Sequence, residues 1–322
     1  MTQPALLETH PETSPARPRL GFLGVGWIGR HRMQAILGTG AADVVAIADP
    51  SPEMAAEAGK LAPDAKLVST LDDILAEGVD GMVIATPSAM HAEQSIRALE
   101  RGVAVFCQKP LGRTAAEARA AVDAARAADR LLGVDLSYRF TDGMRRIRDV
   151  LGSGELGHIY AVDLVFHNAY GPDKPWFYDP ALSGGGCVMD LGVHLVDLAL
   201  WALDNPGVRD VSGRLFSGGA PLRDPASQVE DYAAATMELE TGAVVQLACS
   251  WRLQAGCDAM ISASFYGTQG GAALRNVNGS FYDFTAERYR GTAREVLAVP
   301  PDEWGGRAAA DWAMRLAAGE RF

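Results

Sequence analysis

The chain has 322 residues, a length that suits two domains. Apolar residues make up 48% and charged residues 21%, which excludes a disordered chain. A formal charge of -11 without a basic stripe argues against nucleic acid and anionic membrane as partners, and no apolar run reaches the roughly 18 residues that span a bilayer. Residues 1–18 read as a polar, proline-spaced tail with no basic leader segment, so an ordinary secretory signal is excluded. The four cysteines (Cys107, Cys187, Cys249, Cys257) are scattered and give neither a zinc ribbon nor a disulfide scaffold. A cytoplasmic location is the expectation.

From Arg19 short apolar runs alternate with Ala-rich amphipathic stretches. The runs Leu20–Leu23, Val44–Ala48, Gly81–Ala85, Val103–Phe106 and Leu131–Leu136 predict strands. The stretches Ile28–Leu37, Pro52–Leu61, Met90–Arg101 and Thr114–Asp129 predict helices. This alternation predicts a doubly wound parallel sheet covered on both faces. Thr114 and Glu117 fit a capping box. Beyond about Ser137 the rhythm changes. A helix over Asp142–Leu151 precedes strand-like segments at Ile159–His167, Val208–Phe216, Tyr232–Leu239, Ala243–Trp251, Ala259–Tyr266 and Gly271–Val277, interrupted by one long helix near Cys187–Leu203. Short turns between them predict an open, mostly antiparallel sheet. The domains are therefore expected at 19–137 and 138–322.

Gly24-Val25-Gly26-Trp27-Ile28-Gly29 reads G-x-G-x-x-G between a predicted strand and helix. The first glycine permits the turn, the second lets a pyrophosphate approach the backbone, and the third lets helix pack on strand. Asp49 follows 20 residues after Gly29, at the end of the second strand. A carboxylate there accepts from both ribose hydroxyls and repels a 2′-phosphate, and Pro50 and Ser51 supply no arginine to offset it. NAD is therefore expected over NADP.

Lys109 falls after the fifth strand, at the carboxyl edge where open α/β sheets bind ligands. Asp190 and His194 stand four apart on the long helix, so both project from one face. Histidine suits a proton acceptor and lysine a stabiliser of alkoxide charge. Taken alone, Asp190–His194 reads equally as a surface pair or a buried hydrogen-bonded histidine. Cys187, Asp190 and His194 have a spacing that lets them approach one metal ion, but Cys187 sits at the frayed helix start and no metal is expected. Arg139 has two readings, a substrate contact or a partner for an acid at the domain junction. His167 is a further substrate candidate. Trp176 and Tyr178 are open between packing on a core and packing on the apolar face of a sugar ring, Phe177 is expected to pack, and Asp197 is expected to be structural.

The segments Ile84-Ala85-Thr86-Pro87-Ser88-Ala89-Met90-His91, Cys107-Gln108-Lys109-Pro110-Leu111, Tyr138-Arg139-Phe140 and Ser183 to His194 resemble the Gfo/Idh/MocA oxidoreductases, which include glucose–fructose oxidoreductase and inositol dehydrogenase. The resemblance covers nearly the whole chain from Leu20. It implies a Rossmann domain, a nicotinamide cofactor, and a sugar or polyol as substrate. It also implies that Lys109 contacts substrate near the nicotinamide, that Asp190 and His194 are the D-x-x-x-H pair with histidine as proton acceptor, and that Thr86 and Pro87 lie beside the nicotinamide ribose. The open sheet implies a homodimer or homotetramer that covers an apolar face. Gln108 stands where the family usually has glutamate, and the chain stops at Phe322, so a helix packed against the first domain is expected to be absent. A non-catalytic NAD-binding regulator and an NAD-dependent glycosidase of the same fold are the alternatives.

Overall fold

The structure, a computed structural model, describes residues 17–322. Of the tail expected over 1–18, all but Arg17 and Pro18 lies outside the described residues. Six strands, β1 (Arg19–Leu23), β2 (Asp43–Ala48), β3 (Lys66–Val68), β4 (Gly81–Ile84), β5 (Ala104–Cys107) and β6 (Leu132–Val134), form one parallel sheet in the order β3-β2-β1-β4-β5-β6. The order reverses beside β1, which makes the crevice there a ligand site for folds of this kind. The helices between them are α1 (Trp27–Thr39), α2 (Pro52–Gly59), α3 (Leu71–Ala76), α4 (Ser88–Glu100) and α5 (Ala115–Ala128). Each of β1, β4 and β5 is buried on both faces, which is why it reads as an unbroken apolar run.

Caps set the helix starts. Ser51 accepts from Met54 N–H, and Thr70 with Asp73 makes a complete capping box ahead of α3. At α5 only half of the expected box forms. Thr114 accepts from Glu117 N–H, but the Glu117 carboxylate turns to the Arg113 backbone N–H and guanidinium.

After a 3-10 turn at Ser137–Phe140 and α6 (Asp142–Gly152), a second sheet begins. Its strands are β7 (Ile159–Asn168), β8 (Val208–Ser217), β9 (Ala220–Pro221), β10 (Tyr232–Leu239), β11 (Val244–Ser250), β12 (Ala259–Gly267), β13 (Gly271–Asn276), β14 (Phe284–Arg290) and β15 (Ala293–Ala298). They run in the order β15-β14-β13-β12-β7-β11-β10-β8-β9, antiparallel except for the β7–β11 pair. Three short helical pieces follow β7: a 3-10 turn at Pro175–Tyr178, α7 (Pro180–Ser183), then a π turn at Val188–Gly192 that runs into α8 (Val193–Ala202). Val162, Leu164 and Phe166 of β7 pack in one core with Met144 and Ile147 of α6 and Leu195 and Leu198 of α8.

Two expectations change. By length and composition the helical run Pro180–Ala202 is able to cross a bilayer, although no such run was expected. It serves the core, with Leu191, Leu195 and Leu198 all buried. The open sheet face is not the apolar surface expected. Val165, Ala234 and Ala248 alternate there with Asp163, Thr236 and Gln246 along a shallow groove.

The final helix, α9 (Arg307–Ala317), overturns the expectation of a missing packing element. It crosses back to the first sheet beside α1, and Trp312 packs on Phe106 with ring centroids 5.7 Å apart. Gly81 and Gly133 leave the room, since a Cβ at either would come within 2.8 Å of the indole. Trp312 is only 2% exposed. Trp312→Ala should lower unfolding free energy by about 3–5 kcal/mol, read by urea denaturation; a loss below about 1 kcal/mol would show that α9 is not part of that core.

Candidate active site

The site is built where the carboxyl edge of the first sheet meets the 186–202 helical run. Gly24 takes φ +83°, and a Cβ there would lie 2.6 Å from the Ala85 oxygen. A Cβ on Gly29 would lie 2.2 Å from the Gly24 oxygen, so both positions exclude other residues. A Cβ on Gly26 would meet nothing within 4 Å. That gap opens at the N-terminus of α1, which has no side-chain cap and no acid in its first turn. Its free N–H groups and positive dipole end suit a phosphate anion. Beside it, Asp49 accepts from Val25 N–H at 2.7 Å and from Ser51 N–H at 2.8 Å. The dinucleotide therefore fits this loop on the chain's own geometry.

Thr86 and Pro87 form the turn into α4. Buried His91 ties that turn to the next one, with Nδ1 2.7 Å from the Pro110 oxygen and Nε2 2.7 Å from the Thr86 oxygen. Burial lowers its pKa. Lys109, held between these turns, reaches across to the second half of the chain. Its ammonium donates to the Asp190 carboxylate at 2.9 Å and to the Asp190 backbone oxygen at 2.6 Å. The other carboxylate oxygen of Asp190 accepts from Trp251 Nε1 at 3.1 Å. An ammonium has three protons, so one remains for a ligand oxygen.

The π turn widens the helix at Asp190, a distortion that favours functional positions. Glu230, a buried acid that sequence reading missed, sets its start. Its carboxylate accepts from Gly186 and Val188 N–H, while its backbone oxygen accepts from Cys187 N–H. A Cβ on Gly186 would lie 1.8 Å from that oxygen. Nothing local marks Glu230, because its partners stand more than 40 positions earlier.

His194 is half-buried at the wall of the larger cavity and packs on the Tyr138 ring at 5.0 Å. Its Nδ1 is sealed without a partner, which leaves Nε2 as the nitrogen able to meet a ligand. Burial pushes its pKa well below the ordinary value, and the Lys109 and Arg32 cations push it the same way. The imidazole is thus neutral at neutral pH and free to accept a proton.

Two cavities flank Lys109. One of about 520 Å³ lies between the phosphate loop and Asp173–Phe177, and Gly26, Trp27, Ile28, Gly29, Thr86, Pro87, Trp176 and Asp190 line it. The other, about 960 Å³, is lined by His194, Tyr138, Tyr282 and Trp304. Trp27, Ile28, Gln108 and Lys109 border both. Phe177, expected only to pack, stacks on Trp176 at 3.8 Å and also lines the smaller cavity.

Three candidate substrate residues line neither cavity. Of its two readings, Arg139 takes the ion pair: its guanidinium binds both oxygens of Asp197 and lies over Trp201. His167 bonds Ser250 Oγ at 2.8 Å and stacks on Tyr232, and burial lowers its pKa. Tyr178 spends its hydroxyl proton on the Pro172 oxygen at 2.9 Å. Cys187 points into the core, with its sulfur 3.8 Å from that of Cys249.

Comparison with known proteins gives the family. Residues 19–136 match the oxidoreductase family with an NAD-binding Rossmann fold, and residues 144–273 match the GFO/IDH/MocA C-terminal domain. Inositol 2-dehydrogenase of Acidiphilium cryptum is 30% identical over 260 residues, which cover 80% of this chain and 73% of that protein. The chain belongs to the Gfo/Idh/MocA oxidoreductase family. D-glucoside 3-dehydrogenase of Escherichia coli is another Gfo/Idh/MocA relative, 31% identical over 62% of this chain. The alignment spans 60% of that enzyme's length, and the one to the Rhizobium meliloti rhizopine catabolism protein MocA spans 65%. In fold the chain is similar to levoglucosan dehydrogenase in complex with NADH and L-sorbose, with a TM-score of 0.80 over 94% of this chain and 91% of that one at 20% identity.

The neutral His194 links stability to pH. Its folded pKa lies below the ordinary 6.5, so its contribution is present above that pH and is lost as pH falls through it. Melting temperatures between pH 8 and pH 5 should fall less steeply for His194→Gln than for the native chain; equal slopes would mean that His194 is not held neutral.

Proposed function

We propose that the chain is an NAD(H)-dependent dehydrogenase that moves a hydride between a secondary hydroxyl of a sugar, polyol or related small molecule and the nicotinamide ring. The observation that carries this reading is the meeting of Lys109, from the nucleotide half, with Asp190, on the helical run that also bears His194, at cavities bordered by the phosphate loop. NAD when bound supplies the hydride acceptor. Gly26 and the α1 amides hold its pyrophosphate. Asp49 keeps lone pairs for the ribose hydroxyls while its charge disfavours NADP. Thr86 and Pro87 lie beside the nicotinamide ribose.

His194 Nε2 accepts the hydroxyl proton, and the remaining Lys109 proton meets the oxygen as negative charge develops there. Asp190 fixes the lysine. Trp176 and Phe177 offer flat apolar walls to a sugar ring. Residues 19–137 act as the nucleotide domain and 138–322 as the substrate and assembly domain. The names of the relatives, which concern inositol and glucoside, support this substrate class.

Lys109→Met should lower kcat roughly 100- to 1000-fold while leaving NAD affinity within a few-fold, read by NADH absorbance across sugars, inositols and hydroxy acids. Undiminished turnover in that variant would overturn the reading.

Among the described residues one face of the nine-stranded sheet lacks a helical layer, which supports a homodimer or homotetramer formed across it. Light scattering at micromolar concentration should return at least twice the 34.1 kDa chain mass, and a stable monomer would remove this part. The four unbridged cysteines accord with a cytoplasmic location, which cell fractionation would check.

A further inference from the structure

Position 108, next to Lys109, carries an amide, and a buried carboxylate holds it. Gln108 Nε2 donates to Asp135 Oδ2. Asp135 is 1% exposed and receives two more bonds, from Arg32 Nε at 2.5 Å and from Ser137 Oγ at 2.5 Å. Arg32 is 6% exposed and also donates to Ser137 Oγ. Gln108, Asp135 and Arg32 all border the larger cavity next to Lys109.

A carboxylate only accepts, so Asp135 compels the amide NH₂ of Gln108 to face it and turns the Gln108 carbonyl oxygen away. Among the described residues no protein donor meets that oxygen, and it is not sealed from solvent. With glutamate at 108, two carboxylates would stand at hydrogen-bond contact in a buried place, where both cannot stay ionised. A second anion would also compete with Asp190 for the Lys109 ammonium. With an amide at 108, Lys109 has Asp190 as its one carboxylate partner among the described residues.

We propose that Gln108, Asp135 and Arg32 form one positioning unit, in which the buried Asp135 carboxylate fixes Gln108 so that its carbonyl presents an uncharged acceptor to the cofactor cleft. That oxygen accepts from an O–H or N–H of the dinucleotide, a ribose hydroxyl or the carboxamide. This last step rests on the dehydrogenase reading above. The charged or titratable groups lining the two cavities that Gln108 borders include His31 and Arg32 of α1, His91, Lys109, Asp135, Tyr138, and Asp190 and His194 from the other half.

The test is a charge exchange between the two positions in the full chain, comparing Gln108→Glu, Asp135→Asn and the double variant. In Gln108→Glu the raised carboxyl pKa makes the folded state bind the extra proton. Its melting temperature deficit should therefore be small at pH 5.5 and grow by pH 8. Its NAD Kd, by calorimetry, should rise about ten-fold at pH 8. Asp135→Asn leaves Arg32 unpaired and should weaken both readouts. The double variant restores an amide–carboxylate pair with the polarity reversed, so most of the melting-temperature loss should be recovered at pH 8, while NAD affinity stays weakened because the acceptor at 108 is then charged. Two results would overturn the proposal: a Gln108→Glu chain that is native-like at both pH values, or a double variant whose melting temperature at pH 8 is no better than that of Gln108→Glu. Should Gln108→Glu not fold, folding of the double variant supports the unit and its failure to fold overturns it. If the native chain bound no NAD, the dehydrogenase reading would fall, while the melting series would still decide the positioning unit.

Discussion

The contact between Lys109 and Asp190 governs the arrangement of everything else in the site. Each side chain is 17% exposed, one in the turn after β5 and the other on the helical run of the second half. An ion pair this far from water gives back much of its Coulomb energy as lost hydration, so its worth lies in registry more than in stability. It fixes the ammonium at the edge of the nucleotide crevice and fixes the helical run that carries His194. Trp251 and Glu230 hold the same run from below, one through the Asp190 carboxylate and one through the first free amides. The site joins turns at the carboxyl edge of the first sheet to the helical run of the second half.

Polar groups in the interior follow a consistent logic. Arg32, Asp135 and Glu230 are buried and charged, and each meets partners at hydrogen-bond distance. The exceptions among the described residues include His194 Nδ1. A desolvated imidazole with no internal partner is costly in a static core, and it is what proton transfer requires. Burial works the other way on the thiols, and Cys107 is pushed up to about 12, which makes it inert.

Legibility in the sequence followed the range of the interactions. The phosphate loop, Asp49, Lys109, Asp190 and His194 were readable because each belongs to a short motif tied to one strand end or one helix. The strands of both sheets up to β13 were readable from their apolar pattern, apart from β3 and β9, which span only Lys66–Val68 and Ala220–Pro221. The six-residue α3 gives too little periodicity to register. β14 and β15 escaped because charges crowd both, as in Glu287, Arg288 and Arg290, and cross-strand pairing rather than hydrophobicity holds them. Glu230, the Arg139–Asp197 pair and the Gln108–Asp135 contact join residues 27 to 58 positions apart, and no local pattern announces such pairings. The π turn is equally silent, since its residues suit an ordinary helix.

The last helix has a bearing on how the molecule comes into being. α9 contributes Ala308, Ala309, Trp312 and Ala313 to the same apolar cluster as Leu20 and Phe22 at the other extreme of the chain. During synthesis the early strands can pair and gather their crossover helices, yet the slot beside α1 that α9 fills stays open until translation has passed the whole second sheet. A nascent chain of this kind carries an open hydrophobic slot for most of its time on the ribosome, and the two halves mature as one unit rather than in succession.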